Sequence, residues 1–195
     1  MIEILKELDR ELFIFLNSLG IERFDAFWLF VTQIESWTPL FILFIFLMYY
    51  FYKWRDASAT VFFLLLTFGI TILFTGIVKE YVARLRPNNV EALAELIRIL
   101  QKPSNYSFFS GHASSSFSIT TFVVLVLRKH TKWIYVAFLW PFIFVLSRIY
   151  VGVHYPSDIM VGALVGTVIA YVFYQLWKVE TQQELVETSI NQTET

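Results

Sequence analysis

ASATVFFLLLTFGITILFTGIVK, residues 57–79, runs for 22 positions without a charged side chain before it reaches Lys79. A helix rises about 1.5 Å per residue and the hydrocarbon core of a bilayer is about 30 Å thick, so this stretch is long enough to cross. Segments within 24–52, 110–127, 133–149 and 156–177 read the same way. The first of these is longer than one pass needs, and Glu35 and Pro39 interrupt it, which predicts a kinked or shallow opening. The fold class expected is all-α: a polytopic membrane helix bundle of about five transmembrane helices.

The flanks read differently. In residues 2–16, Ile2, Leu5, Leu8, Leu12, Phe15 and Leu16 recur at helical spacing among Glu3, Lys6, Glu7, Arg10 and Glu11. That pattern fits an N-terminal amphipathic helix in the membrane interface, and equally one packed on the bundle. These residues lack the basic start and unbroken apolar run of a signal peptide. Trp28, Trp37, Trp54, Trp133 and Trp177 fall near expected helix ends, as an aromatic belt does. A single membrane-embedded domain is expected over 1–178, with a disordered polar tail at 179–195. The net charge of −1 gives no field to attract nucleic acid, so no nucleic-acid partner is expected. With no cysteine, disulfides and thiolate metal sites are excluded.

Polar residues at membrane depth are costly, and here they gather at span ends. Lys79-Glu-Tyr-Val-Ala-Arg-Leu-Arg86-Pro87 closes the second span and Ser110-Gly111-His112 opens the third. Ser147-Arg148 closes the fourth, and His154-Tyr-Pro-Ser-Asp158 opens the fifth. A second span ending on one face makes the third begin there, the fourth end there and the fifth begin there again. Span parity alone brings the four stretches to one membrane surface.

Local geometry there suits an anion. Lys79 and Arg86 are seven residues apart, near two helical turns, which predicts one helix continuing to Arg86 and presenting both on one side. Ser110 can cap the third helix and leave the Gly111 backbone N–H pointing outward. Pro156 suits the first position of the fifth helix and puts Asp158 at the third, where a carboxylate reaches back in a capping box. An aspartate beside an imidazole fixes its tautomer and stabilises the imidazolium. Three cations, a helix N-terminus and two histidines describe a phosphoryl-transfer site. Ser114, Ser115 and Ser116 read as small packing residues, and His130 as part of a solvated basic turn. Residues 90–101, with Val90, Leu93, Leu96, Ile97 and Leu100 at helical spacing, fit a surface helix or a plain connector.

Lys79-x6-Arg86-Pro87, Ser110-Gly111-His112 and Ser147-Arg148-x5-His154-x3-Asp158 resemble the three signatures of the type 2 phosphatidic acid phosphatase superfamily, which also contains soluble acid phosphatases and vanadium haloperoxidases. The resemblance spans 57–177, with Phe109 where the family usually has proline. It implies that His154 attacks phosphorus, that Asp158 orients it, and that His112 protonates the leaving group and then activates water. It implies also that Lys79, Arg86, Arg148, Ser110 and the Gly111 backbone hold the phosphoryl oxygens. No metal and no cofactor are implied, and the acids near the site by sequence (Glu80, Glu91, Glu95 and Asp158) make no evident magnesium cage.

The activity implied is a membrane lipid phosphatase with a phosphohistidine intermediate. The partner expected is a membrane phospholipid or polyprenyl phosphate: undecaprenyl diphosphate first, otherwise phosphatidate, phosphatidylglycerophosphate or a lipid A phosphate. A vanadate-dependent haloperoxidase is opposed by the five spans, and a non-catalytic phospholipid binding or transport protein by the intact nucleophile, acid and orienting carboxylate. Opposite the site, Lys53, Arg55, Arg128, Lys129, Lys132 and Lys178 sit in very short turns, where the positive-inside rule is most reliable. That places the protein in the inner membrane of a bacterial-type cell, multi-pass, with its active site on the extracytoplasmic face.

Overall fold

The computed structural model describes the backbone of residues 2–193 and the side chains of residues 3–181. Among the described residues seven α-helices follow one another: α1 (Ile2–Ser18), α2 (Asp25–Val31), α3 (Thr38–Phe51), α4 (Trp54–Val82), α5 (Gly111–Leu127), α6 (Leu139–Tyr150) and α7 (Pro156–Thr193). Among the described residues, four stretches are long and apolar enough to cross a membrane: Ile34–Phe51, Trp54–Leu93, Lys132–Tyr150 and Pro156–Thr181. A further apolar helix, α5, stands where the third of the expected spans lies and is shorter than these four. The protein is an all-helical multi-pass membrane protein.

The layers are arranged around α5, which is buried along nearly its whole length and packs on α4, α6 and above all α7. On α4 the pattern of a soluble helix is inverted. Phe62, Leu65, Leu73 and Ile77 face outward, while Thr60, Thr67, Thr71, Thr75 and Lys79 form its buried stripe. Each of those threonines donates its hydroxyl to the carbonyl four residues back, at 2.6–2.7 Å. Small side chains that satisfy themselves in this way allow close approach without leaving a polar group unpaired in lipid. Ser114, Ser116 and Ser118 on α5 donate to the carbonyl three residues back and Ser115 to the one four back, and Ser114 also meets Thr75 at 2.9 Å. Opposite them α7 carries Gly162 and Gly166, where any Cβ would run into the backbone of Ser110 and Ser114 respectively.

Several expectations are corrected. The opening of the first span is broken, as its Glu35 and Pro39 imply, into α2, a 3-10 turn at Ile34–Trp37 and α3. However, α4 does not reach Arg86. It ends at Val82, and Ala83 turns left-handed (φ 48°) with its N–H on the Lys79 carbonyl at 2.9 Å. Arg86, held extended before Pro87, lies beyond the helix.

Residues 90–101 form no surface helix: after a 3-10 turn at Glu91–Leu93 the chain is irregular. Tertiary anchors override the periodicity, because Leu93 is buried beside Phe13, Tyr155 and Ile159 and Asn17 ties the Arg98 backbone in place. The polar tail expected at 179–195 lies largely outside the residues whose side chains the structure describes; the backbone of α7 is traced to Thr193. Trp177 is buried and donates to Thr60 at 3.0 Å, so it does not belong to an aromatic belt, while Trp37 is half-buried and donates to the Val31 carbonyl at 2.9 Å. Trp54 and Trp133 are exposed as a belt requires.

One face of α1 packs on the bundle and the other stays exposed. Phe13 and Asn17 are fully buried, and Asn17 donates to the carbonyls of Arg98, Ile149 and Tyr150. Leu5, Leu8, Leu12 and Phe15 stay exposed as one apolar stripe, the face an interfacial helix gives to lipid.

Candidate active site

Both helix starts form as their sequences predict. The Ser110 hydroxyl accepts from the Ala113 N–H at 3.4 Å and caps α5. At α7, the Tyr155 N–H donates to Asp158 Oδ2 at 3.0 Å, which is the reciprocal bond of a capping box. The Ser110 N–H donates to the Asp158 carbonyl at 2.9 Å and locks the two starts together.

The histidine, its carboxylate and its cation form a chain. Arg86 Nη1 lies 2.8 Å from His154 Nε2, and His154 Nδ1 lies 3.3 Å from Asp158 Oδ2. A guanidinium can only donate, so Nε2 carries the lone pair and the proton sits on Nδ1, facing the carboxylate. This is the tautomer a nucleophilic imidazole needs. His154 and Asp158 are buried. Burial first, then the positive charges of Arg86, Arg148, Lys79 and Arg84, hold the His154 imidazole well below its ordinary pKa and keep it neutral.

The other cations close around it. Lys79, one register beyond the threonine stripe, donates to the carbonyls of Tyr106 and Ser107 at 2.6 and 3.1 Å. Arg86 also holds Asn105, through Oδ1 and the carbonyl, and the Val153 carbonyl at 3.0 Å. Arg148 donates to the Thr32 hydroxyl and to Gln101 Oε1 at 3.0 Å, while its buried Nε has no partner among the described residues. His112 stacks on Phe144 with centroids 4.8 Å apart, within hydrogen-bonding reach of the Thr32 backbone and close enough to Arg148, His154 and Arg86 to feel their charge. All eight residues singled out from the sequence therefore surround one place.

Sequence reasoning missed four contributors. Thr32, Gln101 and Asn105 lie in connecting segments, where no periodicity marks them. Arg84 stands within the string that closes the second span, yet it faces away from the cradle: its Nη1 donates to Asp158 Oδ1 at 2.8 Å. The close approach of α5 and α7 did carry a signal, the small pair Gly162-x-x-x-Gly166.

The chain matches the PAP2 superfamily over residues 60–182. It is 30% identical over 182 residues to the lipid A 4′-phosphatase of Bacteroides thetaiotaomicron, covering 89% of this chain and 79% of that protein. It is also 30% identical over 170 residues to the undecaprenyl-diphosphatase of Sulfolobus acidocaldarius, covering 85% and 77%. Among solved structures it is similar to the transmembrane PAP2 type phosphatidylglycerolphosphate phosphatase of Bacillus subtilis, with a TM-score of 0.72 at 21% identity over 89% of this chain and 86% of that one. Aquifex aeolicus LpxE follows with a TM-score of 0.62 at 27% identity over 86% and 95%. The three signature strings, the helical bundle that brings them together and the match over 60–182 agree: the chain belongs to the PAP2 superfamily and is a membrane lipid phosphatase of that family.

Proposed function

We propose that the enzyme hydrolyses its lipid phosphate through a phosphohistidine on His154. The observation that carries this reading is the hydrogen-bond chain Arg86–His154–Asp158, which leaves the Nε2 lone pair free to attack once Arg86 shifts its N–H onto a phosphoryl oxygen. Nε2 bonds to phosphorus, the bond to the lipid oxygen breaks, and His112 gives that oxygen its proton. Asp158 balances the charge growing on the imidazole. Lys79, Arg86, the unpaired Nε of Arg148, Ser110 and the Gly111 N–H hold the equatorial oxygens, preorganised where charge develops. Water activated by His112 then cleaves the N–P bond and releases phosphate. The groups offered to the substrate are cationic, which suits a phosphate and repels a divalent metal.

For the substrate, relatives named lipid A 4′-phosphatase in Bacteroides thetaiotaomicron and in Porphyromonas gingivalis, each matching about nine-tenths of this chain, support lipid A 4′-phosphate. The Sulfolobus undecaprenyl-diphosphatase supports undecaprenyl diphosphate as a second reading, the one the sequence favours. Phosphate release by the purified protein from these two lipids, phosphatidate and phosphatidylglycerophosphate should favour one of the first two, survive EDTA and be inhibited by vanadate. Faster turnover of phosphatidate than of either would overturn the substrate reading. Loss in chelator restored by magnesium would overturn the metal-free chemistry.

A further inference from the structure

Asp158 is bound from two sides. Its Oδ2 takes the Tyr155 N–H and faces His154, while its Oδ1 takes Nη1 of Arg84 at 2.8 Å. The same guanidinium donates through Nη2 to Oδ2 of Asp9, on α1, at 2.8 Å. Asp9 in turn accepts the Ser157 N–H at 2.8 Å and the Ser157 hydroxyl, and that hydroxyl accepts from Arg84 Nη1 at 2.8 Å. The Arg84 carbon lies 3.9 Å from the centre of the Tyr155 ring, which Phe13 of α1 meets edge-on. Thus a helix 75 residues away in sequence supplies the second anion of an Asp–Arg–Asp bridge whose far end is the partner of His154.

The burial gradient gives the bridge its direction. Asp158 is fully buried, the Asp9 side chain is 11% exposed and that of Arg84 25%. A planar guanidinium that bonds two carboxylates through different nitrogens is fixed in orientation, as a lone surface pair is not. Rotation of the Asp158 carboxylate out of its present plane would carry Oδ2 off the line to His154 Nδ1. A second acceptor at Asp9 keeps Arg84 over Oδ1 and opposes that rotation.

We infer that Asp9 and Arg84 are positioning residues for phosphoryl transfer: the N-terminal helix sets the Asp158 carboxylate against His154 through the Asp9–Arg84 bridge. This rests on the proposed roles of His154 and Asp158. The bridge also floors a cleft of about 790 Å³ between α1 and the end of α4, walled by Leu5, Val82, Leu85 and Phe108. A residue that served only to bind a lipid chain in that cleft would act on KM, and only for lipids.

The experiment is a double-mutant cycle in detergent, with kcat and KM measured on nitrophenyl phosphate and on a lipid phosphate, and thermal unfolding followed in parallel. Asp9→Asn should lower kcat on both substrates by about 10- to 100-fold, the range usual for outer partners that orient a functional group, and leave KM nearly unchanged. Asp9→Glu should restore most of the loss. In an Asp158→Asn background, Asp9→Asn should cost nothing further, because there is no carboxylate left to aim. Arg84→Lys keeps the charge but cannot reach both acids, and it should show the same masking; it decides the question if Asp9→Asn unfolds. Full multiplicative losses in the Asp158→Asn background, or a KM rise confined to the lipid, would overturn the inference. Undiminished activity of Asp158→Asn alone would instead overturn the phosphohistidine roles on which it rests.

Discussion

An arginine that bonds a histidine ring nitrogen fixes where the proton of that histidine sits, and at His154 this separates the duties of the two histidines. In the proposed mechanism His154 makes the covalent bond, so no substrate should bypass its loss. There His112 supplies a proton to the departing oxygen, a contribution worth about 10²–10⁴ in rate that shrinks when the leaving group needs little protonation. His154→Ala should abolish turnover of both phosphatidate and nitrophenyl phosphate. His112→Ala should damage phosphatidate hydrolysis far more than single-turnover release of nitrophenol, with recovery incomplete because the same ring is the base for the second step. Activity retained by His154→Ala and lost on every substrate by His112→Ala would reverse the assignment. The ionisable members of the candidate site were legible because membrane burial of a charge needs a reason, and Ser110 and Gly111 because they open a helix beside them. Arg84 was equally visible as a charge, but its direction was not, because that depends on the turn at Ala83.

At the scale of elements, the distance between α5 and α7 sets the distance between the Gly111-His112 N-terminus and His154. The two helices approach so closely that a Cβ at Gly162 would lie 2.7 Å from the Ser110 carbonyl oxygen, and one at Gly166 would collide with that of Ser114. At Gly69, on the lipid-facing part of α4, a Cβ would meet nothing within 4 Å. Gly166→Ala should therefore cost about 1–3 kcal/mol, as overpacking does, and lower activity by moving the α5 start. Gly69→Ala should leave the melting temperature in detergent unchanged or raised, since alanine is the better helix former. Equal melting of the two variants would show that the helices have room to separate. The expected helix at 90–101 failed for a related reason: Leu93 is drawn into the core and Arg98 is bound to Asp25 at 2.7 and 2.8 Å, and these anchors outweigh a helical period in a short segment.

For the whole molecule, the distribution of charge predicts which way it sits. The turns and helix ends opposite the site carry six cations, which predicts that they face the cytoplasm and the site faces out. The absence of native cysteine makes this directly measurable. Ser104→Cys on the site-side loop should react with a membrane-impermeant maleimide in right-side-out vesicles. Lys132→Cys should react only after permeabilisation. Both positions are exposed in the structure, so the opposite pattern would reverse the orientation.

Read from one end of the chain to the other, the sequence alone determined the spans, their order and the face on which the charged strings meet. Hydrophobic length and span parity are counting arguments, and they need no knowledge of packing. It also determined the two helix starts at the site, because capping is local chemistry between residues three apart. Only the tertiary structure decided that α4 stops at Val82, that 90–101 is irregular, that Thr32, Gln101 and Asn105 hold the cradle, and that Asp9 of α1 reaches Arg84. Those contacts join residues tens of positions apart through single hydrogen bonds, which have no period and leave no pattern along the chain; they exist only once the helices have packed.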